Sequence, residues 1–155
     1  MTEAAENAQS KLKFTRHFGG QEIDIYLRED RLISFPLGIL AFQNCTVFGL
    51  TKLPTEQETP IMLLQCVNEP DLAFMVAAPE QLGLTIAEED RNRALKETGM
   101  RKDGTQFLTI LSTHPFGDGM ALTANLKAPL LIDSTTRVGR QHILINPEYT
   151  TQHKL

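Results

Sequence analysis

The sequence is poor in cysteine and has no cysteine pattern that would predict a metal or disulfide site. Its two cysteines, Cys45 and Cys66, lie in apolar surroundings, outside any C-x-x-C motif and away from metal-spaced histidines. Neither a zinc site nor a disulfide framework is therefore predicted. We expect both residues to be buried, reduced thiols.

An excess of basic residues is also missing. The 155 residues contain 15 Lys and Arg against 19 Asp and Glu, which gives a formal net charge of -4. The bases are spread singly or in short groups, whereas contact with nucleic-acid phosphates requires Lys and Arg clustered on one face. Direct nucleic-acid binding is therefore not expected. A mildly acidic surface suits a basic protein partner instead.

Long apolar runs are absent as well. Residues 1–10 are polar and acidic and lack the positively charged start and apolar stretch of a signal peptide. The longest apolar stretch, residues 33–42, contains Pro36 and Gly38 and is too short to cross a bilayer. The sequence therefore predicts a cytoplasmic protein without a membrane segment. We expect residues 1–10 to be a disordered N-terminal tail and residues 11–155 to form a single β domain.

Short alternating segments split by turn residues dominate the chain after Lys11, a pattern typical of antiparallel β structure. Gly19-Gly20 predicts a first hairpin, and Asn68-Glu69-Pro70-Asp71 predicts a turn between two later strands. The second of these strands, residues 72–77, is apolar on both faces, so something must cover its outside. About nine strands in this length favour a mostly β fold, either an antiparallel β-barrel-like structure or a folded-over sheet.

One segment has the signals of a surface helix. Thr85 and Glu88 have the spacing of a capping box, acidic residues fill the first turn, and Gly99 provides a stop. The helix is predicted over residues 86–98. Because its apolar stripe is thin, we expect it to lie on the surface of the sheet.

The histidines offer little catalytic chemistry. His17, His114, His142 and His153 have none of the spacings that bring two imidazoles to one metal ion, so no metal site is predicted. The best acid/base pair is His114 with Asp118 in one loop, although turn chemistry also explains this Pro-Phe-Gly-Asp-Gly loop. No nucleophile motif and no glycine-rich phosphate cradle is present, so no catalytic residue is predicted.

Several stretches of the sequence, in the same order, resemble motifs of the FliW family. Residues 31–42 (RLISFPLGILAF) are similar to the family's I-x-F-P-x-G-[LI]-P-G-F stretch, and residues 64–74 (LQCVNEPDLAF) to its LQS-V-x-x-PDLAF pattern. Residues 122–129 (LTANLKAP) and 136–141 (TRVGRQ) resemble TANL-x-AP and TR-x-G-x-Q. The ending, residues 149–155, resembles the family's Y-x-x-x-H-x-L close. Together the matches extend over nearly everything after Lys11.

The chain departs from these motifs at a few positions. Leu40 and Ala41 stand where the family usually has Pro-Gly, and Gln43 stands where an acid is common. Leu63 occupies a position often held by Trp. These changes affect the turn that follows Phe35-Pro36 and one face of the sheet.

The resemblance implies a β-barrel-like, cytoplasmic flagellar assembly factor that binds flagellin and also binds the RNA-binding translational repressor CsrA. When flagellin is exported, the freed family member captures CsrA and releases flagellin mRNA from repression. Such a protein is a binding regulator, not an enzyme, and needs no cofactor. The alternative is a small-molecule-binding or enzymatic β-barrel, since a closed sheet can surround a pocket and His114 and Asp118 share a loop.

Four polar residues of the matching stretches are the candidate partner-binding residues: Glu69, Asp71, Asn125 and Lys127. Binding residues concentrate in loops between strands, and the carboxylates of Glu69 and Asp71 suit the basic side chains of an RNA-binding repressor. Asn125 either bonds its own backbone at a kink or is presented to a partner. We expect residues 68–71 and 125–128 to form one docking surface.

Overall fold

The computed structural model describes residues 10–18 and 20–155, which form eleven β-strands, one α-helix and two short 3-10 helices. In chain order these are β1 (Lys11–Phe18), β2 (Gln21–Arg28), a 3-10 turn (Glu29–Arg31), β3 (Ile33–Ser34), β4 (Val47–Lys52), β5 (Met62–Cys66), β6 (Ala73–Ala77), a 3-10 turn (Pro79–Leu82), α1 (Glu88–Thr98), β7 (Thr105–Phe116), β8 (Gly119–Ala124), β9 (Leu130–Asp133), β10 (Val138–Gln141) and β11 (His153–Lys154). Of the predicted tail, residues 1–9 lie outside the described residues. The carbonyl of Ser10 accepts the Glu29 N–H at 3.1 Å.

The larger of the two sheets closes on itself. Its strands follow the order β7–β6–β5–β4–β3–β10–β9, and β9 pairs back with β7 to complete a ring. β7 uses one edge twice, because residues 105–108 pair with β9 and residues 111–116 pair with β8. β7 is antiparallel to both of its neighbours in the ring, β6 and β9, while β3 and β10 are joined by a single parallel pairing. The predicted mostly β, barrel-like fold with one surface helix is confirmed.

The inside of the ring is filled by an apolar cluster. Its buried members are Ile33, Phe35, Ile39, Cys45, Phe48, Leu64, Cys66, Val76, Leu108, Leu130 and Ile132. Phe35 and Phe48 meet edge to face with ring centroids 5.1 Å apart. Gly139 on β10 permits this packing, since a Cβ there would lie 2.5 Å from the Phe35 ring. Cys45 and Cys66 are buried free thiols, as predicted.

The β1–β2 hairpin covers part of the outside of the barrel. Its eight pairings run from Lys11↔Arg28 to Phe18↔Gln21, so the predicted first hairpin is present. Ile25 and Leu27 of β2 pack against Leu63 of β5, and Ala73 of β6 joins the same cluster. The hairpin therefore supplies, at Ala73, the cover that the outer face of β6 was expected to need.

Helix α1 covers a different part of the outside. Its residues Ala94 and Leu95 pack against Phe107 of β7 and Leu131 of β9, so it lies on the sheet surface as predicted. The predicted stop is also confirmed, because Gly99 adopts the left-handed conformation with φ 72°. These contacts place the helix on the seam between β7 and β9.

The start of α1 differs from the prediction. The helix begins at Glu88, two residues after the predicted start, and its N-cap is Ala87, which has no side-chain cap. The capping box predicted for Thr85 and Glu88 was therefore wrong. The Ala87 N–H donates instead to the hydroxyl of Tyr149 at 2.8 Å, so a distant residue replaces the local cap.

The predicted loop at residues 114–119 was also wrong. β7 continues to Phe116 and β8 begins at Gly119, which leaves a two-residue turn between them. The ladder between β6 and β7 ends at Met75↔Leu111, so β7 continues five residues beyond its last pairing with β6. The β7–β8 hairpin therefore projects beyond the ring, and β11 pairs with the base of β8.

Candidate functional site

Asn68 anchors the predicted Asn68–Asp71 turn to the end of the loop that precedes β4. Its Oδ1 accepts the backbone N–H groups of Thr46 and Val47, each at 3.2 Å. Its Nδ2 donates to the carbonyl oxygen of Asn44. The side chain therefore has a structural role, because these hydrogen bonds hold the turn beside residues 44–47.

The neighbouring carboxylates of the turn remain exposed. Buried Gln65 donates from Nε2 to the carbonyl of Pro70 at 2.8 Å, which fixes the backbone between Glu69 and Asp71. Neither carboxylate forms an ion pair with any residue of the described chain. Arg16 also contacts this turn, because its Nη1 donates to the Pro70 carbonyl at 3.0 Å. The turn thus presents Glu69 and Asp71 on a rigid backbone.

The sequence left two roles open for Asn125, a hydrogen bond to the local backbone or presentation to a partner, and its side-chain amide has one end available for each. Its backbone N–H donates to the Ile110 carbonyl at 2.9 Å, and its Oδ1 accepts the Ala128 N–H at 3.0 Å. The Nδ2 group makes no hydrogen bond within the described residues, and the residue lines a surface groove. Lys127 is differently placed, because its Nζ donates to the Asn146 carbonyl at 3.2 Å.

The groove has a volume of about 480 Å³ and opens where β6 and β7 face the loop of residues 36–44. It is lined by Ile39, Leu40, Phe42, Ala73, Phe74, Met75, Ile110, Leu111, Ser112, Thr113, Asn125 and Gln141. The rings of Phe42 and Phe74 meet edge to face, with centroids 5.4 Å apart. Asn125 therefore lines the groove. The Asn68–Asp71 turn does not line it but precedes Ala73, which does. Lys127 is outside the lining.

The loop of residues 36–44 was missed as part of the site. It contains a tight turn in which Phe42 N–H donates to the Ile39 carbonyl at 2.7 Å. Leu40 and Ala41 form the corner, and Ala41 has φ 71°. One signal in the sequence could have identified this loop. A run of large apolar residues lies beside Pro36 and Gly38, and a strand cannot bury such a run completely on one face. Leu37, Leu40 and Phe42 are exposed as a result.

Gln141 connects this loop to the Asn125–Ala128 segment. Its Oε1 accepts the Leu40 N–H at 2.7 Å, and its Nε2 donates to the Ala128 carbonyl at 3.1 Å. Both ends of the amide are therefore engaged. The last residue of the TRVGRQ motif thus holds one wall of the groove against another.

The residues considered for chemistry are engaged elsewhere. His114 Nε2 lies 2.9 Å from the hydroxyl of Thr123 on β8, while Asp118 lies in the exposed turn of the hairpin. Burial raises the pKa of Cys45 to about 11, so this thiol is neutral at physiological pH. Across the described ranges, no three His, Cys, Asp or Glu side chains are grouped to hold a metal ion. No α-helix in that part of the chain has the length and apolar character needed to span a membrane.

Comparison with known proteins gives consistent matches along almost the whole chain. Residues 14–155 match the family model described as FliW protein. The flagellar assembly factor FliW of Natranaerobius thermophilus is 33% identical over 139 residues, which cover 90% of this chain and 88% of that protein. The protein of the same name from Geobacillus kaustophilus is 36% identical over 135 residues, covering 85% and 89%. A crystal structure of the flagellar assembly factor FliW matches with a TM-score of 0.68 and 28% identity, covering 94% and 96%.

Proposed function

The chain belongs to the FliW family of flagellar assembly factors, and from this premise we propose that it is a cytoplasmic regulator that works by binding other proteins. Its partners are flagellin and the RNA-binding translational repressor CsrA. Export of flagellin frees the protein, which then captures CsrA and relieves repression of flagellin mRNA. Flagellin level is thereby coupled to flagellin translation.

The groove is the observation that best supports a binding role. Exposed apolar side chains of one loop lie beside a concave surface with the aromatic residues Phe42 and Phe74. Exposed apolar surface of this kind, with polar residues at its edge, is typical of protein interaction sites. Asn125 supplies such a polar group in the lining, and the exposed Glu69 and Asp71 lie on the turn that precedes Ala73 of the groove wall.

We further propose that the protein catalyses no reaction and needs no cofactor. The inside of the barrel is filled by buried apolar side chains, which leaves the alternative of an internal small-molecule site without specific support. The engagement of His114 with Thr123 likewise offers no support for an acid/base role with Asp118.

Calorimetric titration of the full chain with flagellin and with CsrA from the same organism tests the proposal. We expect both partners to bind, and we expect saturating flagellin to reduce the binding of CsrA. In a gel-shift assay, the chain should release CsrA from the leader of flagellin mRNA without binding that RNA itself. Failure of both partners to bind would refute the proposed function.

A further inference from the structure

We propose that the pocket between β2, the 3-10 turn Glu29–Arg31 and β4 binds the phosphate group of a small phosphate-bearing molecule. This anion pocket has a volume of about 210 Å³, and its lining includes Tyr26, Arg28, Arg31 and Thr51. It shares no lining residue with the groove described above. The inference is therefore independent of the two proposed protein partners.

The β1–β2 pairing gathers basic residues that are spread along the sequence. Lys11 lies directly opposite Arg28. Lys13 lies opposite Tyr26 on the same exposed face of the hairpin. Arg31 follows in the exposed 3-10 turn. Like charges directly opposite each other destabilise a sheet, so the Lys11–Arg28 pairing is unfavourable unless an anion lies beside it.

Carboxylates compensate only part of this positive charge. Two ion pairs are formed, with N–O distances of 3.6 and 2.8 Å: Lys13–Asp24 and Arg28–Asp30. Among the described residues, Lys11 and Arg31 form no ion pair, and neither does Glu29, the third carboxylate of this region. The region therefore has an excess of cations, to which Arg137 adds.

Arg137 lies against the 3-10 turn. Its Nη2 donates to the carbonyl oxygen of Arg31, while its Nε is buried and has no hydrogen-bond partner in the part of the chain that the structure describes. Burial, followed by the charge of Arg31, lowers the pKa of Arg137. The fold thus holds two guanidinium groups close enough to repel each other. An anion bound at Arg31 would relieve that repulsion.

The anion pocket also offers uncharged donors. Among the described strands β2 pairs only with β1, so its second edge has backbone N–H groups without a strand partner. Such an edge can form an anion-binding concavity. The hydroxyl of Thr51 belongs to the same lining. The guanidinium groups of Arg28 and Arg31 add planar donor pairs, a geometry that matches the oxygens of phosphate.

The size of the anion pocket limits what it can enclose. Pockets that enclose whole drug-sized ligands have volumes of about 300–1,000 Å³, so this one suits a phosphate or diphosphate group alone. Tyr26 is 54% exposed at the same site, and an exposed aromatic ring can stack on a nucleobase. The phosphate group can therefore come from an inorganic anion or from a nucleotide.

Calorimetry of the full chain in phosphate-free buffer tests the site with three probes: inorganic phosphate, inorganic pyrophosphate and ATP. Arg28→Gln and Arg31→Gln each remove one guanidinium, and Arg31→Lys keeps the charge without the planar fork. Arg93→Gln is the matched control, because Arg93 is an exposed base on α1, which covers a different part of the barrel. The melting temperature of each variant without ligand establishes that it is folded.

We expect the parent to bind pyrophosphate and ATP. Arg28→Gln and Arg31→Gln should raise the Kd by about tenfold or more, as for the loss of a charged hydrogen bond. Arg31→Lys should raise it less than Arg31→Gln, and Arg93→Gln should bind like the parent. Tighter binding of ATP than of pyrophosphate, lost in Tyr26→Ala, would support a nucleotide as the source of the phosphate. Equal binding of the two would support the inorganic anion.

Two results with the small probes would overturn the inference. One is a parent protein that binds none of the three probes. The other is an equal loss of binding in Arg93→Gln, which would indicate unspecific attraction to any exposed base. Binding of an RNA oligonucleotide without binding of any small probe would assign these basic residues to nucleic acid and overturn the inference as well.

Discussion

Ala41 adopts a backbone conformation that favours glycine. Its φ is 71°, and it occupies the third position of the turn closed by the bond from Phe42 N–H to the Ile39 carbonyl. Turns with a positive φ at this position favour Pro-Gly at their corner. That is the pair usual in the FliW motif that the sequence resembles. Leu40 in place of proline keeps an N–H, and Gln141 accepts it.

We expect Ala41→Gly to raise the free energy of unfolding by about 0.5–1 kcal/mol, because glycine has no Cβ to strain the left-handed conformation. Urea unfolding of the parent and the variant measures the difference. Ala73→Gly in β6 is the control and should lower stability, since glycine weakens a strand. A loss of stability at position 41 would contradict the strain inferred for Ala41.

Phe74 is less buried than its strand pattern predicts. Its ring is half-buried and packs against Phe42 and Phe48. We expect Phe74→Ala to cost about 2–3 kcal/mol, less than the roughly 3–5 kcal/mol for the fully buried Phe48. Denaturant unfolding of the two variants gives the comparison. Equal costs would show that the Phe74 ring is as buried as that of Phe48.

The N-terminus of α1 shows a local signal replaced by a tertiary contact. The Tyr149 hydroxyl accepts the Ala87 N–H at 2.8 Å and donates to Oδ2 of buried Asp90 at 2.7 Å. Asn146 also donates to this oxygen at 3.2 Å. Burial raises the pKa of Tyr149, so its hydroxyl keeps the proton that it donates. The helix start is therefore bonded to the C-terminal segment.

We expect Tyr149→Phe to lower the free energy of unfolding by about 1–3 kcal/mol, because it leaves the Asp90 carboxylate short of a donor in a buried position. Tyr26→Phe is a matched control, since Tyr26 is 54% exposed, and should change stability by less than about 0.5 kcal/mol. Hydrogen exchange should quicken at the first turn of α1 in the first variant alone. Equal stabilities of the two variants would argue against the Tyr149 cap.

At the scale of the whole molecule, Asp133 joins parts of the chain that close the barrel. Its carboxylate accepts Arg101 Nη2 at 3.2 Å and the Thr135 N–H at 2.8 Å. It thereby ties the turn between β9 and β10 to the segment before β7. The Arg101 hydrogen bond, followed by the backbone N–H of Thr135, lowers the pKa of Asp133.

The pH dependence of stability should report this tie. Because the folded pKa of Asp133 lies below the ordinary value of about 3.9, its contribution is complete above about pH 4 and is lost as the pH falls through the folded pKa. We expect Asp133→Asn to be less stable than the parent at neutral pH, with a difference that shrinks on acidification. In an Arg101→Gln background, the stability difference caused by Asp133→Asn should also be smaller. If the stability difference between the parent and Asp133→Asn did not change with pH, the ionised Asp133 carboxylate would not be the group that stabilises this part of the barrel.

The strand pattern predicted much of the fold because period-2 alternation and turn residues are local signals. The hairpin at Gly19-Gly20, the turn at Asn68–Asp71 and the helix stop at Gly99 were read from neighbouring residues alone. One error lay where a distant residue decides, because Tyr149 displaced the local capping box. The other was local, because residues 114–116 and 119–121 pair across a two-residue turn that the sequence analysis treated as a longer loop.

The sequence by itself determined the fold class, the burial of the two thiols and the membership of the FliW family, since each depends on residue order and type. Only the tertiary structure decided which of these residues share a surface. Asn125 reaches the groove because β7 carries both β8 and β9 on one edge, whereas Lys127 turns to Asn146. The exposure of Leu37 and Leu40 follows from a turn held by Gln141, about a hundred residues away along the chain. Contacts between residues so far apart in sequence arise from strand pairing, which no local pattern specifies.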